Sequence, residues 1–215
     1  MSQPEIDQTR REAFYEVLFG RRDVRSQFLP DEIDDDVLMR ILNAAHHAPS
    51  VGLSQPWDFI VVRDRVLRKA VKAAFDEANM EAAGRFSGER AERYKSLKLE
   101  GILDAPVNIC VTCDRERGGP VVLGRTHQPD TDIYSTVCAV QNLWLAARAE
   151  NLGVGWVSII EPERLHTLLD LPENVLPIAW LCVGKVSEFL DQPELQQKAW
   201  AKRDSLRQRI HFDGW

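Results

Sequence analysis

The chain of 215 residues contains no apolar run near the roughly 20 residues that a membrane-spanning helix needs. Residues 1–11 are polar, whereas a signal peptide would be apolar. Cysteine is scarce, and four cysteines cannot supply the dense disulfide framework of small secreted domains. These absences predict a cytoplasmic protein that is stabilised by a hydrophobic core.

An excess of positive charge is also absent, because 27 lysines and arginines face 33 aspartates and glutamates, for a net charge of −6. The chain therefore has no overall positive field to attract nucleic acid, although a local basic pocket remains open. Repeats, low-complexity tracts and Ser/Gly linkers are missing too. We predict a single domain over residues 1–215, long enough to bury about 70% of its unfolded surface.

Several common catalytic motifs are not found in the sequence. It has no Gly-rich loop before a lysine, no dinucleotide fingerprint and no serine elbow. His46 and His47 lack the glutamate and spacing of a zinc protease, and His47 is expected at the surface or at a helix cap. Cys110 and Cys113 lie in a predicted strand, where residues three apart face opposite ways, so we interpret them as buried structural cysteines. No metal site is predicted.

Apolar periodicity predicts helices that alternate with strands, as in an α+β or α/β sandwich. Predicted helices cover residues 10–19, 34–48, 70–83, 89–102, 133–150 and 165–169, and predicted strands cover residues 59–62, 107–113, 154–160 and 178–186. Gly20 is expected to end the first helix in a left-handed conformation. The loop at residues 114–132 has a length more typical of functional than of connecting loops.

The densest chemical signal is residues 21–25, which place three arginines within five positions. Guanidinium groups suit phosphate oxygens. Cations after a helix can equally complement its dipole and remain in water, and the spacing alone does not decide between the two.

Two further segments could approach a flat ligand. Residues 49–57 form a proline-bounded loop with hydroxyls and an amide, although a plain connection would look the same. Residues 153–158 place glycines at the start of a buried strand, where the backbone could approach a ligand closely. Without further observations we favour a helix cap for Gly153 and a packing site for Gly155.

Taken together, these segments resemble the nitroreductase-like flavoproteins, and among them the family of 5,6-dimethylbenzimidazole synthases, from about residue 11 to residue 200. The similarity is carried by residues 21–25, 48–57, 118–127, 134–148 and 153–156. Ordinary nitroreductases usually have serine after the paired arginines, whereas this chain has Asp23, as the synthases do. The resemblance implies a nitroreductase-like α/β/α sandwich of the α+β class, with a mixed sheet. It also implies a homodimer that exchanges terminal segments, and a lid at about residues 86–127.

The resemblance also implies roles for individual residues. Asp23 and Ser158 correspond to the two catalytic residues, and the three arginines are expected to keep Asp23 ionised. Residues that correspond to flavin or phosphate contacts are Arg21, Arg22, Asp23, Val24, Arg25, Pro49, Ser50, Gln55, Gly155, Trp156, Val157, Ser158 and, less specifically, Arg203. In this family, residues such as Pro49, Ser50 and Gln55 often reach the flavin of the other subunit.

The implied activity is oxygen-dependent fragmentation of reduced FMN to 5,6-dimethylbenzimidazole and D-erythrose 4-phosphate. FMN would then be a substrate, supplied reduced by a separate flavin reductase, with molecular oxygen as the co-substrate. One alternative is an NAD(P)H-dependent FMN nitroreductase or flavin reductase, against which Asp23 and residues 124–127 argue. Another is a non-catalytic protein that binds or delivers flavin.

Overall fold

The structure, a computed structural model, describes residues 4–215, so residues 1–3 of the predicted domain lie outside it. The helices are α1 (Gln8–Gly20), α2 (Asp35–His46), α3 (Arg65–Ala83), α4 (Gly88–Lys95), α5 (Thr131–Ala149), α6 (Pro162–Leu168) and α7 (Glu194–Gln197). The strands are β1 (Trp57–Val62), β2 (Val107–Asp114), β3 (Leu152–Val157) and β4 (Val175–Lys185). No helix within residues 4–215 is long and apolar enough to cross a bilayer.

The four strands form one sheet in the order β1-β2-β4-β3, and every neighbouring pair is antiparallel. The predicted α+β class is confirmed. The prediction of a mixed sheet was wrong for these four strands. Val62 at the end of β1 pairs with Asn108 near the start of β2, so the helical connection returns the chain to the same end of the sheet. Within residues 4–215, the one parallel pairing is an isolated bridge between Asp23 and Val154.

Helices cover both faces of the sheet, as predicted for a three-layer sandwich. Ile109 and Val111 of β2 pack with α2 and α5, whereas Cys110 between them packs with α3 and α6. This alternation follows from the two-residue period of a strand. The buried residues of α5 recur at three- and four-residue spacing along one face of the helix, whereas Tyr134, Val137 and Cys138 on its other face are exposed.

Some predicted boundaries differ from the structure. Gly20 lies inside α1, and the chain leaves that helix through Arg21 in an extended conformation, so no left-handed cap is needed. Helix α4 ends at Lys95 instead of continuing to residue 102. Strand β3 ends at Val157, three residues before its predicted end. Asn151, not Gly153, takes the left-handed conformation (φ 57°) between α5 and β3.

The predicted lid at residues 86–127 includes β2, which pairs with β1 on one side and β4 on the other. A central strand cannot move with a lid, so the lid proposal is confined to α4 and residues 115–127. Helix α4 is held by the C-terminal segment, since Arg90 lies 4.5 Å from the ring centre of Trp200 and Arg93 Nη1 donates to the carbonyl oxygen of Ala199 at 3.1 Å.

Candidate active site

The loop at residues 21–25 lies against β3, the edge strand of the sheet. The Val24 N–H donates to the carbonyl oxygen of Val154 at 3.0 Å. A Cβ at Gly155 would lie 2.1 Å from the carbonyl oxygen of Val24, so no larger residue fits this approach. The packing interpretation of Gly155 is supported: the glycine lets the loop, rather than a ligand, approach the strand.

Gly153 also serves packing, because a Cβ there would lie 2.4 Å from Cγ1 of Val186. The helix cap that we favoured for Gly153 was therefore wrong. Both glycines of this segment allow other segments of the same chain to pack closely against β3.

Asp23 is fixed from two sides. Its Oδ1 accepts a hydrogen bond from the Trp156 N–H at 3.1 Å, and its Oδ2 lies 2.5 Å from Nη2 of Arg25. Burial raises the pKa of Asp23 above its ordinary value, and the positive charge of Arg25 opposes this shift without cancelling it. The arginines therefore lower the pKa of Asp23 less than expected, and a raised pKa makes the carboxylate a better proton acceptor.

Arg22 bonds to the main chain. Its Nε donates to the carbonyl oxygen of Leu190 at 2.8 Å and its Nη2 to that of Asp191 at 2.5 Å. Its Nη1 donates to the carbonyl oxygens of Phe19 and Arg21. All three nitrogens are engaged, so the structure does not support Arg22 as a phosphate contact and instead shows it tying the C-terminal segment to the loop.

The other arginines converge on a cavity of about 160 Å³, lined by Arg21, Arg22, Asp23, Arg25, Pro193, Glu194, Leu195 and Arg203. Arg21 lies 4.8 Å from the ring centre of Trp144. Burial lowers the pKa of Arg21, and the charges of Arg22 and Arg203 act in the same direction. Arg203, far away in sequence, thus lies beside the loop as the resemblance implied.

The cavity fits a phosphate group. The Arg25 side chain is 14% exposed, and its Nε is buried with no hydrogen-bond partner among residues 4–215. Buried donors are rarely left unpaired. An unpaired guanidinium donor beside two further arginines is the arrangement that phosphate oxygens would satisfy.

The loop that contains Pro49, Ser50 and Gln55 lies at a different place in the structure from the arginine cavity. It leads into β1, which is separated from β3 by β2 and β4, so three strand spacings put the two edges about 14 Å apart. Ser50 Oγ accepts a hydrogen bond from the Gln55 N–H at 3.0 Å, and Leu53 and Gln55 have positive φ angles of 52° and 46°. One chain alone therefore does not bring this loop to the arginine cavity.

Residues 115–127 cover that loop. Arg117 Nη1 donates to the carbonyl oxygens of Gln55 and Trp57 at 3.2 and 3.0 Å. Val122 is buried, and a Cβ at Gly52 would lie 2.7 Å from its Cγ1. His127 is exposed.

Ser158 follows β3 directly and is exposed. It lies two residues beyond Trp156, whose N–H holds Asp23. The two predicted catalytic residues are thus attached to the same strand end.

No group of His, Cys, Asp or Glu within the described residues could hold a metal ion. Cys110 lies in the core against α3 and α6, and burial raises the pKa of its thiol to about 12. Cys113, three residues further along the strand, is also buried, and burial raises the pKa of its thiol. The interpretation of both as buried structural cysteines is confirmed. His47 is exposed and bonds the carbonyl oxygen of Asn43 near the end of α2.

Sequence reasoning missed Glu194, which lines the cavity, and Trp144, which supports Arg21. Glu194 lies in a polar C-terminal stretch without a motif. Trp144 lies in the predicted helix at residues 133–150, where nothing in the sequence marks it as a neighbour of Arg21.

Comparison with known proteins agrees with this geometry. Residues 18–185 match the Nitroreductase family. The chain belongs to this family. It is 45% identical over 194 residues to a 5,6-dimethylbenzimidazole synthase of Rhodobacter capsulatus, covering 90% of this chain and 93% of that protein. A protein of the same name from Rhodospirillum rubrum is 40% identical over 200 residues, covering 93% and 94%.

Among solved structures, an oxidised iodotyrosine deiodinase bound to FMN and 3-iodo-L-tyrosine superposes with a TM-score of 0.73 at 19% identity, covering 94% of this chain and 100% of that one. A nitroreductase family protein of Clostridium difficile 630 gives a TM-score of 0.67 at 21% identity, covering 93% and 98%. At such identities these likenesses show the fold alone. The nitroreductase-like sandwich and the predicted resemblance are both confirmed.

Proposed function

We propose that the chain fragments reduced FMN with molecular oxygen, giving 5,6-dimethylbenzimidazole, the lower ligand of cobalamin, and D-erythrose 4-phosphate. The observation that carries the proposal is Asp23, a carboxylate with a raised pKa held by Trp156 beside a cavity of arginines. The 40–45% identity to proteins named for this synthesis supports it. The chain's four cysteines are free, which fits a reducing compartment, and we keep the cytoplasmic location as part of the proposal.

Within one chain, binding is assigned to two groups of residues. Arg21, Arg25 and Arg203 would hold the phosphate, for which Arg25 Nε is an unused donor. Gly155, Trp156, Val157 and Ser158 would lie beside the ring, with Val24 holding the loop to the strand. FMN, when bound in its reduced form, supplies the electrons that reduce oxygen and the ring that is broken.

A second copy of the chain would complete the site with Pro49, Ser50 and Gln55. We expect the chain to form a homodimer, as the resemblance to the family implies. Trp57, Val154 and Val157 are buried within one chain, so these apolar residues do not themselves require a partner. Large apolar side chains instead remain exposed on α1 and α5, namely Phe14, Tyr15, Phe19, Tyr134 and Val137. An apolar surface of this kind marks an interface.

The exchange of terminal segments is also part of the proposal. Residues 201–215 are exposed throughout, and among them Leu206, Phe212 and Trp215 present large apolar side chains. These side chains gain a partner if the segment packs on a second chain.

Asp23 would accept and return a proton at its carboxylate, while the Trp156 N–H fixes its orientation. The hydroxyl of Ser158 would orient the ring at the end of β3. Helix α4 and residues 115–127 would exclude water from the site. In keeping with the similarity to the named synthases, we assign reduction of FMN to a separate flavin reductase.

The test is aerobic incubation of the purified protein with FMN and a flavin reductase, with dimethylbenzimidazole detected by mass. Asp23→Asn keeps the shape and removes the base, so product formation should fall on the order of 10²–10⁴-fold while oxidised FMN is recovered. Asp31→Asn, at an exposed aspartate, is the control and should leave the rate unchanged.

Product at the parental rate in Asp23→Asn would remove the proton-transfer role of Asp23 and make His127 the next residue to test. Consumption of NADPH with a nitroaromatic, and no dimethylbenzimidazole, would show a nitroreductase instead. A yellow complex that survives reduction and air without loss of flavin would show a flavin carrier.

A further inference from the structure

The arginine cavity contains a second unsatisfied group besides Arg25. Glu194, the first residue of α7, lines the cavity, and its Oε2 is buried without a hydrogen-bond partner among residues 4–215. Two residues that line the cavity thus each have one buried atom without a partner among residues 4–215, the donor Arg25 Nε and the acceptor Glu194 Oε2.

The two atoms require opposite chemistry from a ligand. Arg25 Nε is satisfied by a phosphate oxygen. Glu194 Oε2 can only accept a hydrogen bond, and fully ionised phosphate oxygens beside it would repel it instead. Leaving a buried carboxylate oxygen unpaired is costly, so a ligand group placed next to Glu194 is favoured when it carries an O–H or N–H.

The position of Glu194 is well defined. Arg22 bonds the carbonyl oxygens of Leu190 and Asp191, a few residues before α7. Pro193, which restricts the backbone directly before Glu194, lines the same cavity. The carboxylate is therefore held at the wall of the cavity and not on a free chain end.

We propose that Glu194 is a specificity-determining residue that accepts a hydrogen bond from a hydroxyl of the polyol chain carrying the phosphate. The cavity then selects phosphomonoesters of hydroxylated chains over those of plain alkyl chains. The proposal rests on the proposed function for its natural ligand, since the ribityl chain of FMN carries hydroxyls next to its phosphate.

The test uses small ligands, so that it does not depend on flavin chemistry. Binding of D-ribitol 5-phosphate and of pentyl phosphate is measured by calorimetry on the full chain, in the parent and in Glu194→Met. In the parent, the polyol phosphate should bind about 10–100-fold more tightly, the range expected for a hydrogen bond to a charged group. Glu194→Met should remove most of this difference and leave pentyl phosphate binding unchanged. Glu188→Met, at an exposed glutamate of the same segment, should behave like the parent.

Equal binding of the two ligands by the parent, or equal losses for both in Glu194→Met, would overturn the role of Glu194. The first result would mean that water satisfies the carboxylate, and the second that Glu194 supports the cavity only structurally. FMN titration of the parent separates this inference from the proposed function. If FMN fails to bind while ribitol phosphate is still preferred, the proposed function fails and the specificity of Glu194 stands.

Discussion

Arg22 Nε donates a hydrogen bond to the carbonyl oxygen of Leu190 at 2.8 Å, joining two positions 168 residues apart. Arg22 thereby fixes the segment that brings Glu194 and Arg203 to the loop at residues 21–25. Two arginines three positions apart have different tasks, because Arg22 binds the protein's own backbone, whereas Arg25 lines the cavity and has one donor without a partner among residues 4–215.

Replacing these two arginines should have separable effects. Arg22→Met should lower the free energy of unfolding by on the order of 1 kcal/mol, because it removes hydrogen bonds to carbonyl oxygens that are part-buried or exposed and that water can then solvate. It should also increase amide hydrogen exchange at residues 190–203. Arg25→Met should leave exchange there unchanged and weaken FMN binding by about 10–100-fold. Equal exchange in both variants would contradict the assignment of Arg22 to the backbone.

The carboxyl of Asp23 should titrate above the ordinary aspartate pKa of about 3.9, because burial raises its pKa. The raised pKa means that the folded state binds this proton more tightly than the unfolded chain does. The ionised carboxylate therefore lowers the free energy of unfolding at pH values above its folded pKa. This cost is removed as the pH falls through the folded pKa towards the unfolded pKa. Carboxyl carbon shifts followed by NMR, assigned with Asp23→Asn, measure the midpoint. A midpoint below 3.9 would show that Arg25 outweighs burial.

Gly155→Ala should destabilise the protein by about 1–3 kcal/mol or more, because its Cβ would lie 2.1 Å from the carbonyl oxygen of Val24. Relieving this overlap requires Val24 to move from β3, which also displaces Asp23. Urea unfolding measures the loss, and FMN affinity should fall with it. Gly214→Ala, where no atom lies within 4 Å of the added Cβ, is the control. Unchanged stability in Gly155→Ala would mean that the loop does not lie against the strand.

Val137→Glu should dissociate the proposed homodimer, because a charge would replace an exposed apolar side chain of α5. Sedimentation should show about twice the chain mass for the parent and about one chain mass for the variant. Cys138, the one exposed cysteine, neighbours Val137, so its thiol should react with a disulfide reagent faster in the variant. A parent that sediments as one chain at micromolar concentration would refute the dimer.

Features encoded within short segments were predictable from the sequence. Strand β2 is a largely apolar run, and α5 has apolar residues on both its buried and its exposed faces. The arginine loop and Asp23 could be recognised because their side chains are adjacent in sequence. The direction of strand pairing could not be predicted, because a strand that helices cover on both faces is largely apolar whichever way its neighbours run.

The role of Arg22 could not be predicted, because its hydrogen-bond partners cannot be recognised in the sequence. Its partners at Leu190 and Asp191 are main-chain carbonyls, which every residue has, so no residue type marks them. Glu194 was missed because its importance arises only when α7 lies against a loop from the other end of the chain. Gly155 was partly predictable, since a glycine in a strand signals close approach, but the sequence did not show what approaches.

The long span between Arg22 and Leu190 also orders events during synthesis. At about 5–20 residues per second, the ribosome needs roughly 10–30 s to make the 168 positions that separate them. The growing polypeptide therefore carries Asp23 and its arginines long before the wall of the cavity exists. A chain that ends before Leu190 lacks residues 193–195 and Arg203, which line the cavity, and we expect it to bind FMN more weakly than the full chain.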